Sequence, residues 1–142
     1  MPRVRITRRI HFSAAHRLHR EEWSEAKNAE VFGACSNPNW HGHNYEMDVT
    51  VAGEIDPGTG FVYDLKALRD TVEQCVVEDV DHRNLNLDVD FLEGVIPSAE
   101  NLAIAFWRRL EPKLNGRARL HRVCVRETER NRAEYFGPAP LT

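Results

Sequence analysis

The sequence lacks the features of an exported, membrane-bound or nucleic-acid-binding protein. No apolar run approaches the ~20 residues that a membrane-spanning helix needs. The first ten residues, MPRVRITRRI, contain no apolar segment of the kind found in signal peptides. The net charge of −3 provides no general electrostatic attraction to nucleic acid. We therefore expect a cytoplasmic protein that binds neither a membrane nor nucleic acid.

Cysteine is scarce and widely spaced. The three cysteines, Cys35, Cys75 and Cys124, are odd in number, and no Cys-x-x-Cys pair occurs. This argues against a disulfide framework and weakens the case for a structural zinc module. Histidine is abundant instead, with seven residues in 142, of which four fall at positions 11, 16, 41 and 43.

Apolar periodicity predicts one domain over residues 1–142, without repeats or linkers. Alternation predicts strands over 4–16, from position 41 to about 51, over 118–127 and over 132–136. A short helix is expected near 21–30, and Asp64 and Ser98 are expected to be the N-caps of two longer helices. The first of these carries apolar residues at helical spacing: Leu65, Leu68, Val72, Cys75 and Val76. The expected fold is α+β, a four-stranded antiparallel sheet with two helices on one face, in the order ββααββ.

The stretch CSNPNWHGHNY at 35–45 suggests a metal site. Residues two apart in a strand point the same way, so His41 and His43 share a face. His16 is the last residue of the first predicted strand and lies on its apolar face, so it can be a third ligand if the two strands pair. Three protein ligands and an open position are typical of a catalytic zinc. The alternatives are a chance His-x-His pair and a hydrogen-bonded structural role for His16.

Four further polar residues have open roles at this stage. Three roles are open for Cys35: a fourth zinc ligand, a free thiolate near a cation, or an inert buried thiol. Asp81 and His82 place a carboxylate beside an imidazole, a pairing that suits acid–base catalysis. Glu127 falls on the face of its strand that carries the apolar side chains. It is therefore either exposed at the end of the strand or buried as a hydrogen-bond acceptor for a ligand.

Six segments in this order resemble the 6-pyruvoyl-tetrahydropterin synthase family, which includes bacterial 6-carboxytetrahydropterin synthases. They are RRIHFSAAHRL at 8–18, FGACSNPNWHGHNY at 32–45, TVAGEIDPGTGFVYDLKAL at 50–68, VDHRNLN at 80–86, AENLAIAFW at 99–107 and RETERNRAEY at 126–135. They span nearly the whole chain. The resemblance implies a fold of the tunnelling type, in which trimers close their sheets into a barrel and two trimers stack as a hexamer.

The resemblance also implies site roles. It implies that Zn²⁺ is bound by His16, His41 and His43. It also implies that Cys35 is the catalytic thiolate, with Asp81 and His82 as its acid–base partners from a neighbouring chain. The roles in substrate binding are Glu127 as the pterin anchor, with Ser98 and Glu100 in a segment that helps to hold the pterin. The implied substrate is 7,8-dihydroneopterin triphosphate, and triphosphate is lost in the reaction. Arg9 and Arg17 are candidates for holding the triphosphate.

Two branches of the family, and two other classes of protein, remain as hypotheses. The five-residue gap between Cys35 and His41 resembles the 6-pyruvoyl enzymes, which we favour. Trp40 stands where the 6-pyruvoyl enzymes usually have glycine, and Asp64 is closer to the pattern of the 6-carboxy enzymes, which cleave the substrate side chain. A non-enzymatic module with a structural zinc would use Cys35 as a ligand. A zinc hydrolase is disfavoured because no HExxH motif is present.

Overall fold

The fold is organised around two long paired strands. The computed structural model describes residues 1–114 and 116–138. Strand β1 (Arg3–His16) and strand β2 (His41–Glu54) pair antiparallel over their full length, with Arg3 opposite Glu54 and His16 opposite His41. The connection between them therefore brings two histidines 25 positions apart in the chain to the same end of the sheet.

Three shorter strands complete the sheet. Strand β3 (Arg83–Asn84) pairs parallel to β1, β4 (Arg119–Arg126) pairs antiparallel to β2, and β5 (Arg132–Tyr135) pairs antiparallel to β4. The sheet order is β3-β1-β2-β4-β5. The α+β class is confirmed, but the expected four-stranded antiparallel sheet missed β3. A strand of two residues has no alternation to detect, because two positions cover a single period and nothing repeats.

Helices fill the connections. Helix α1 (Glu25–Phe32) runs into a 3₁₀ turn (Gly33–Ser36). Helix α2 (Leu65–Val72) continues through a π-helical segment (Glu73–Val77) into α3 (Glu78–Val80), and α4 (Ala99–Leu110) follows a 3₁₀ turn at Asp90–Leu92. The predicted caps are confirmed: Asp64 accepts a hydrogen bond from the Lys66 amide and Ser98 from the Asn101 amide. The order ββααββ is incomplete because α1 precedes β2.

The core lies between one face of the sheet and the long helices. Phe12 stacks on Tyr45 with ring centroids 4.7 Å apart and meets the edge of Phe106 at 5.8 Å. Burial of such aromatic side chains contributes roughly 2–3 kcal/mol each. Leu65, expected on the apolar face of α2, is exposed, and Cys75 is only partly buried against the core. Within the described residues, no helix is both long enough and apolar enough to cross a membrane.

Candidate active site

Three histidines meet at the end of the β1–β2 pair. His16 ends β1, and His41 and His43 begin β2, so strand register and parity place all three on the core side. One ligand atom from each lies within 4.8 Å of those of the other two. The ring centroids are 4.6 Å apart for His16 and His41, 5.1 Å for His16 and His43, and 5.0 Å for His41 and His43. This is the compact three-nitrogen arrangement expected of a metal site.

The hydrogen bonds of the three rings leave nitrogen atoms free for a metal. Nδ1 of His16 donates to the Pro97 carbonyl oxygen at 2.8 Å, which fixes the tautomer and leaves Nε2 as an acceptor. Nδ1 of His41 and Nε2 of His43 are buried and have no hydrogen-bond partner among the described residues. Buried polar atoms without partners are rare, and a divalent cation would satisfy both. The donor set therefore fits Zn²⁺.

The protonation of the histidines also suits a metal. Burial lowers the pKa of His16 to about 4, against the opposing effect of the Pro97 hydrogen bond. Burial also lowers the pKa of His43, although the neighbouring Glu127 carboxylate acts in the other direction. Both imidazoles are therefore neutral near pH 7, which is the form that binds metals.

Glu127 and Tyr45 lie beside the three histidines. Glu127 follows the last residue of β4, and its Oε1 lies 3.6 Å from Nε2 of His43. The Tyr45 hydroxyl lies 3.2 Å from Nδ1 of His16. Burial raises the pKa of Tyr45, and the negative charges of Glu127 and Cys35 raise it further. The carboxylate, the phenol and the thiol therefore share one neighbourhood.

Sequence reasoning did not assign site roles to Tyr45 or Pro97. Tyr45 had a usable signal, because it shares the parity of His41 and His43 on β2. Pro97 acts through its backbone carbonyl, and such a group leaves no signal in the side-chain pattern.

Cys35 lies in the 3₁₀ turn that precedes β2. It is half-buried, and its carbonyl oxygen accepts a hydrogen bond from the Leu18 amide at 2.8 Å. Among the described residues, the group of mutually close metal-ligating atoms contains the three histidines and not the Cys35 thiol. This placement favours a thiol near the metal site over a fourth ligand.

Asp81 and His82 form a hydrogen-bonded pair that is anchored to Ser13 of β1. Nδ1 of His82 lies 3.0 Å from the Asp81 carboxylate, whose other oxygen accepts from the Ser13 amide at 2.9 Å. The His82 amide donates to the Ser13 carbonyl at 2.6 Å, and His82 has a φ of 59°. The Ser13 hydrogen bond, followed by that of His82, lowers the pKa of Asp81.

The imidazole of this pair is open to solvent. The His82 side chain is 82% exposed. Within the parts of the chain that the structure describes, no hydrogen bond or ion pair joins Asp81 or His82 to Cys35. An exposed, oriented imidazole of this kind is available to a neighbouring molecule.

The beginning of α4 supplies the last two predicted site residues. Ser98 is half-buried and directly follows Pro97, the residue that is hydrogen-bonded to His16. Glu100 is exposed in the first turn of α4. The helix start therefore lies next to the histidines at Ser98, whereas Glu100 faces solvent.

Both the sequence and the fold of the chain are similar to those of known proteins. A family model described as 6-pyruvoyl tetrahydropterin synthase matches residues 5–138. The 6-pyruvoyl tetrahydrobiopterin synthase of Homo sapiens is 42% identical over 134 residues, covering 94% of this chain and 92% of the human one. The structure of the Caenorhabditis elegans 6-pyruvoyl tetrahydropterin synthase superposes with a TM-score of 0.90 at 44% identity, over 96% of this chain and 97% of that one. A dihydroneopterin monophosphate aldolase of Pyrococcus furiosus is 34% identical over 125 residues, covering 88% of this chain and 90% of its own.

Proposed function

The chain belongs to the 6-pyruvoyl tetrahydropterin synthase family, and we propose that it converts 7,8-dihydroneopterin triphosphate into 6-pyruvoyl tetrahydropterin with loss of triphosphate. Such a reaction is that of a carbon–oxygen lyase. Internal redistribution of hydrogen reduces the ring, so atoms balance without an external redox cofactor. The observation that carries the proposal is the packing of His16, His41 and His43 within 4.8 Å, with Glu127 beside them.

His16, His41 and His43 are the proposed zinc ligands. When bound, Zn²⁺ would act as a Lewis acid that acidifies the substrate side chain through its hydroxyl oxygens. The Pro97 carbonyl keeps the His16 ring in one orientation, and burial keeps it neutral. These contacts would prepare His16 for the metal, because its ring needs neither to turn nor to lose a proton.

Cys35 is the proposed general base. As a thiolate it would take the proton from the side-chain carbon next to the pterin ring. Its turn is connected to β2 by residues 37–40, so the thiol and the first ligand of β2 are held on one short loop. Its exclusion from the cluster of ligand atoms leaves it free for proton transfer.

Asp81 and His82 are the proposed proton donors and acceptors at the side-chain oxygens. Asp81 fixes Nδ1 of His82 and leaves Nε2 for the substrate. Because His82 is exposed and is not joined to Cys35 within the chain, the pair would serve the site of a neighbouring chain.

A cyclic oligomer is part of this proposal. Over the described residues, β1 pairs on its second side only at Ala14 and Ala15, and β5 pairs only with β4. Open strand edges are available for pairing between chains. Trimers that join these edges, stacked in pairs as hexamers, would bring His82 of one chain to Cys35 of the next.

Glu127 is the proposed anchor for the pterin ring. The ring offers an amino group and an N–H, and a carboxylate accepts both in a bidentate arrangement. The Glu127 side chain is 17% exposed, so such a contact would be shielded from water. Ser98 and Glu100 at the start of α4 are proposed to help hold the ring.

A second candidate is a reaction that cleaves the substrate side chain. The Pyrococcus furiosus relative is named an aldolase, and aldolases break a carbon–carbon bond. Trp40, which departs from the 6-pyruvoyl pattern, and Asp64, which resembles the 6-carboxy branch, favour the same candidate. The higher identity to the human synthase places the 6-pyruvoyl reaction first.

The direct test is incubation of the purified zinc-loaded protein with 7,8-dihydroneopterin triphosphate, followed by mass spectrometry of the pterin. A pterin that keeps the three-carbon side chain as a diketone, with free triphosphate, supports the proposal. A shortened side chain supports cleavage instead. Unchanged substrate with zinc fully bound would contradict both.

A further inference from the structure

Arg17 is a buried cation without a close counter-ion. It directly follows His16 and is 8% exposed. Among the described residues, its ion-pair partner is Glu25 at 3.8 Å, whose own side chain is 74% exposed. Nε of Arg17 is buried without a hydrogen-bond partner in this part of the chain. Burial of a charge is unfavourable unless it is well paired, so an ion pair does not account for this placement.

The guanidinium of Arg17 holds the turn that carries the thiol. It donates to the Ser36 carbonyl oxygen at 2.6 Å, and the next amide in the chain, that of Leu18, donates to the Cys35 carbonyl oxygen at 2.8 Å. Two successive carbonyl groups of the turn are therefore fixed by two successive residues that follow β1.

The same guanidinium also contacts the other end of the loop. Its central carbon lies 5.8 Å from the centre of the Trp40 ring, a cation–π distance. Trp40 directly precedes His41 and has a φ of 68°, which is uncommon for a bulky residue. Contacts from outside the loop are needed to maintain such a conformation. Arg17 thus spans the loop from the residue after the thiol to the residue before the first ligand of β2.

The backbone of Arg17 is fixed in turn by Asn86. The Arg17 amide donates to Asn86 Oδ1 at 3.0 Å, and Asn86 Nδ2 donates to the Arg17 carbonyl at 3.0 Å. Asn86 lies four residues after His82 and two residues after β3, the strand that pairs with β1. Through Arg17, the thiol turn, the histidine strands and the Asp81–His82 segment are connected by direct contacts.

We propose that Arg17 is a positioning residue that holds the Cys35 turn in the geometry needed for proton transfer. This inference rests on the proposed function, in which Cys35 acts on the substrate. It assigns to Arg17 a role inside the protein rather than contact with the triphosphate. Loss of the contact would displace the thiol without removing a metal ligand.

The test compares Arg17→Ala and Arg17→Lys with wild-type protein, using Arg20→Ala as a matched control. The central carbon of the Arg20 guanidinium lies 5.5 Å from the centre of the Trp23 ring, which makes a similar arginine–tryptophan pair. Within the described residues, the Arg20 side chain makes no hydrogen bond to the Cys35 turn. Turnover of 7,8-dihydroneopterin triphosphate, bound zinc and the melting temperature are measured for each. In parallel, the iodoacetamide alkylation rate of Cys35 is followed by peptide mass spectrometry, with the partly buried Cys75 of the same chain as internal reference.

We expect kcat to fall about 100-fold in Arg17→Ala and about 10-fold in Arg17→Lys, because a small misplacement of a catalytic group has effects of this size. KM should change by no more than about twofold, since the contacts that bind the substrate and the transition state equally well are unchanged. Zinc should remain stoichiometric, and the alkylation rate of Cys35 relative to Cys75 should change in Arg17→Ala. Arg20→Ala should match wild type.

Wild-type kcat and Cys35 reactivity in Arg17→Ala would overturn the inference. So would a loss of activity that follows a parallel loss of zinc or of melting temperature, which indicates a structural role alone. A large rise in KM with unchanged kcat would assign Arg17 to substrate binding instead. If Arg17→Ala does not fold, wild-type kcat in Arg17→Lys has the same meaning. Failure of the proposed function is distinguishable, because wild-type protein would then show no turnover while the alkylation comparison still reports on the turn.

Discussion

Oε1 of Glu127 lies 3.6 Å from Nε2 of His43, so a carboxylate and a candidate metal ligand face each other at the end of the β2–β4 pair. The distance is beyond a good hydrogen bond. Within the described residues, this histidine is the one ion-pair partner of the carboxylate, and the oxygens are otherwise available to a ligand. In the proposed function, this relationship would connect pterin binding to the candidate metal site, with Glu127 outside the group of three histidines.

Glu127→Gln tests the anchor role. We expect KM to rise roughly 10- to 100-fold, because hydrogen bonds to a charged acceptor contribute about 1.5–3 kcal/mol. Zinc content should not change. Steady-state kinetics and metal analysis check both, with Glu129→Gln, an exposed neighbour beyond β4, as control. Loss of zinc in Glu127→Gln would show instead that the carboxylate belongs to the metal site.

Trp40 provides a test of backbone strain beside the ligands. Its φ of 68° favours glycine, so Trp40→Gly and Trp40→Ala should differ although both remove the ring. We expect the glycine variant to be more stable than the alanine variant by about 1 kcal/mol. Urea unfolding followed by circular dichroism measures the difference. Equal stability would mean that the positive φ carries no strain.

Asp48 lies away from the three histidines, and its contribution to stability should depend on pH. Arg9 donates two hydrogen bonds to it, at 2.8 and 3.1 Å, and these lower the pKa of Asp48 below 3.8. A lowered folded-state pKa contributes stability that is fully present above the unfolded pKa, here 3.8, and is lost as the pH falls through the folded value. Asp48→Asn should therefore cost about 1 kcal/mol at neutral pH, the pair being partly exposed.

The deficit of Asp48→Asn should shrink below about pH 3.8, because the carboxylate of the unfolded wild-type chain takes up a proton there, and it should vanish as the pH falls through the lowered folded-state pKa. Urea unfolding at neutral pH and at about pH 3 checks the sign. The control is Asp70→Asn, because Asp70 pairs with the adjacent Arg69 on the surface. A deficit that is the same at both pH values would contradict a role for this carboxylate's charge.

Side-chain periodicity predicted most of the sheet and which three histidines meet at the candidate metal site. The alternation of β1 and β2 placed His16, His41 and His43 on one face, and left out His11, which is exposed. This worked because strand parity is a local property of the sequence and a buried face requires it.

The remaining parts of the site depend on contacts that have no local signal. The Pro97 carbonyl that accepts from His16 and the Ser13 amide that donates to Asp81 are main-chain groups, whose presence does not depend on the side chain. The positive φ of Trp40 and His82 was not predictable either, because neither is glycine. The contact between Arg17 and Ser36 depends on how the loop folds back, which periodicity does not report.

The most direct test of the account is a side-by-side measurement of bound zinc and turnover in Cys35→Ala, with His43→Ala as comparator. We expect wild type and Cys35→Ala each to hold about one zinc per chain, since three histidines suffice to hold a catalytic zinc. Turnover of 7,8-dihydroneopterin triphosphate by Cys35→Ala should fall at least ~100-fold, because the variant would lack the proposed general base. His43→Ala should lose the metal and the activity together. Loss of zinc in Cys35→Ala would show that Cys35 is a ligand, as in a structural-zinc module, and retained turnover would show that it is not the base; either result would contradict the account.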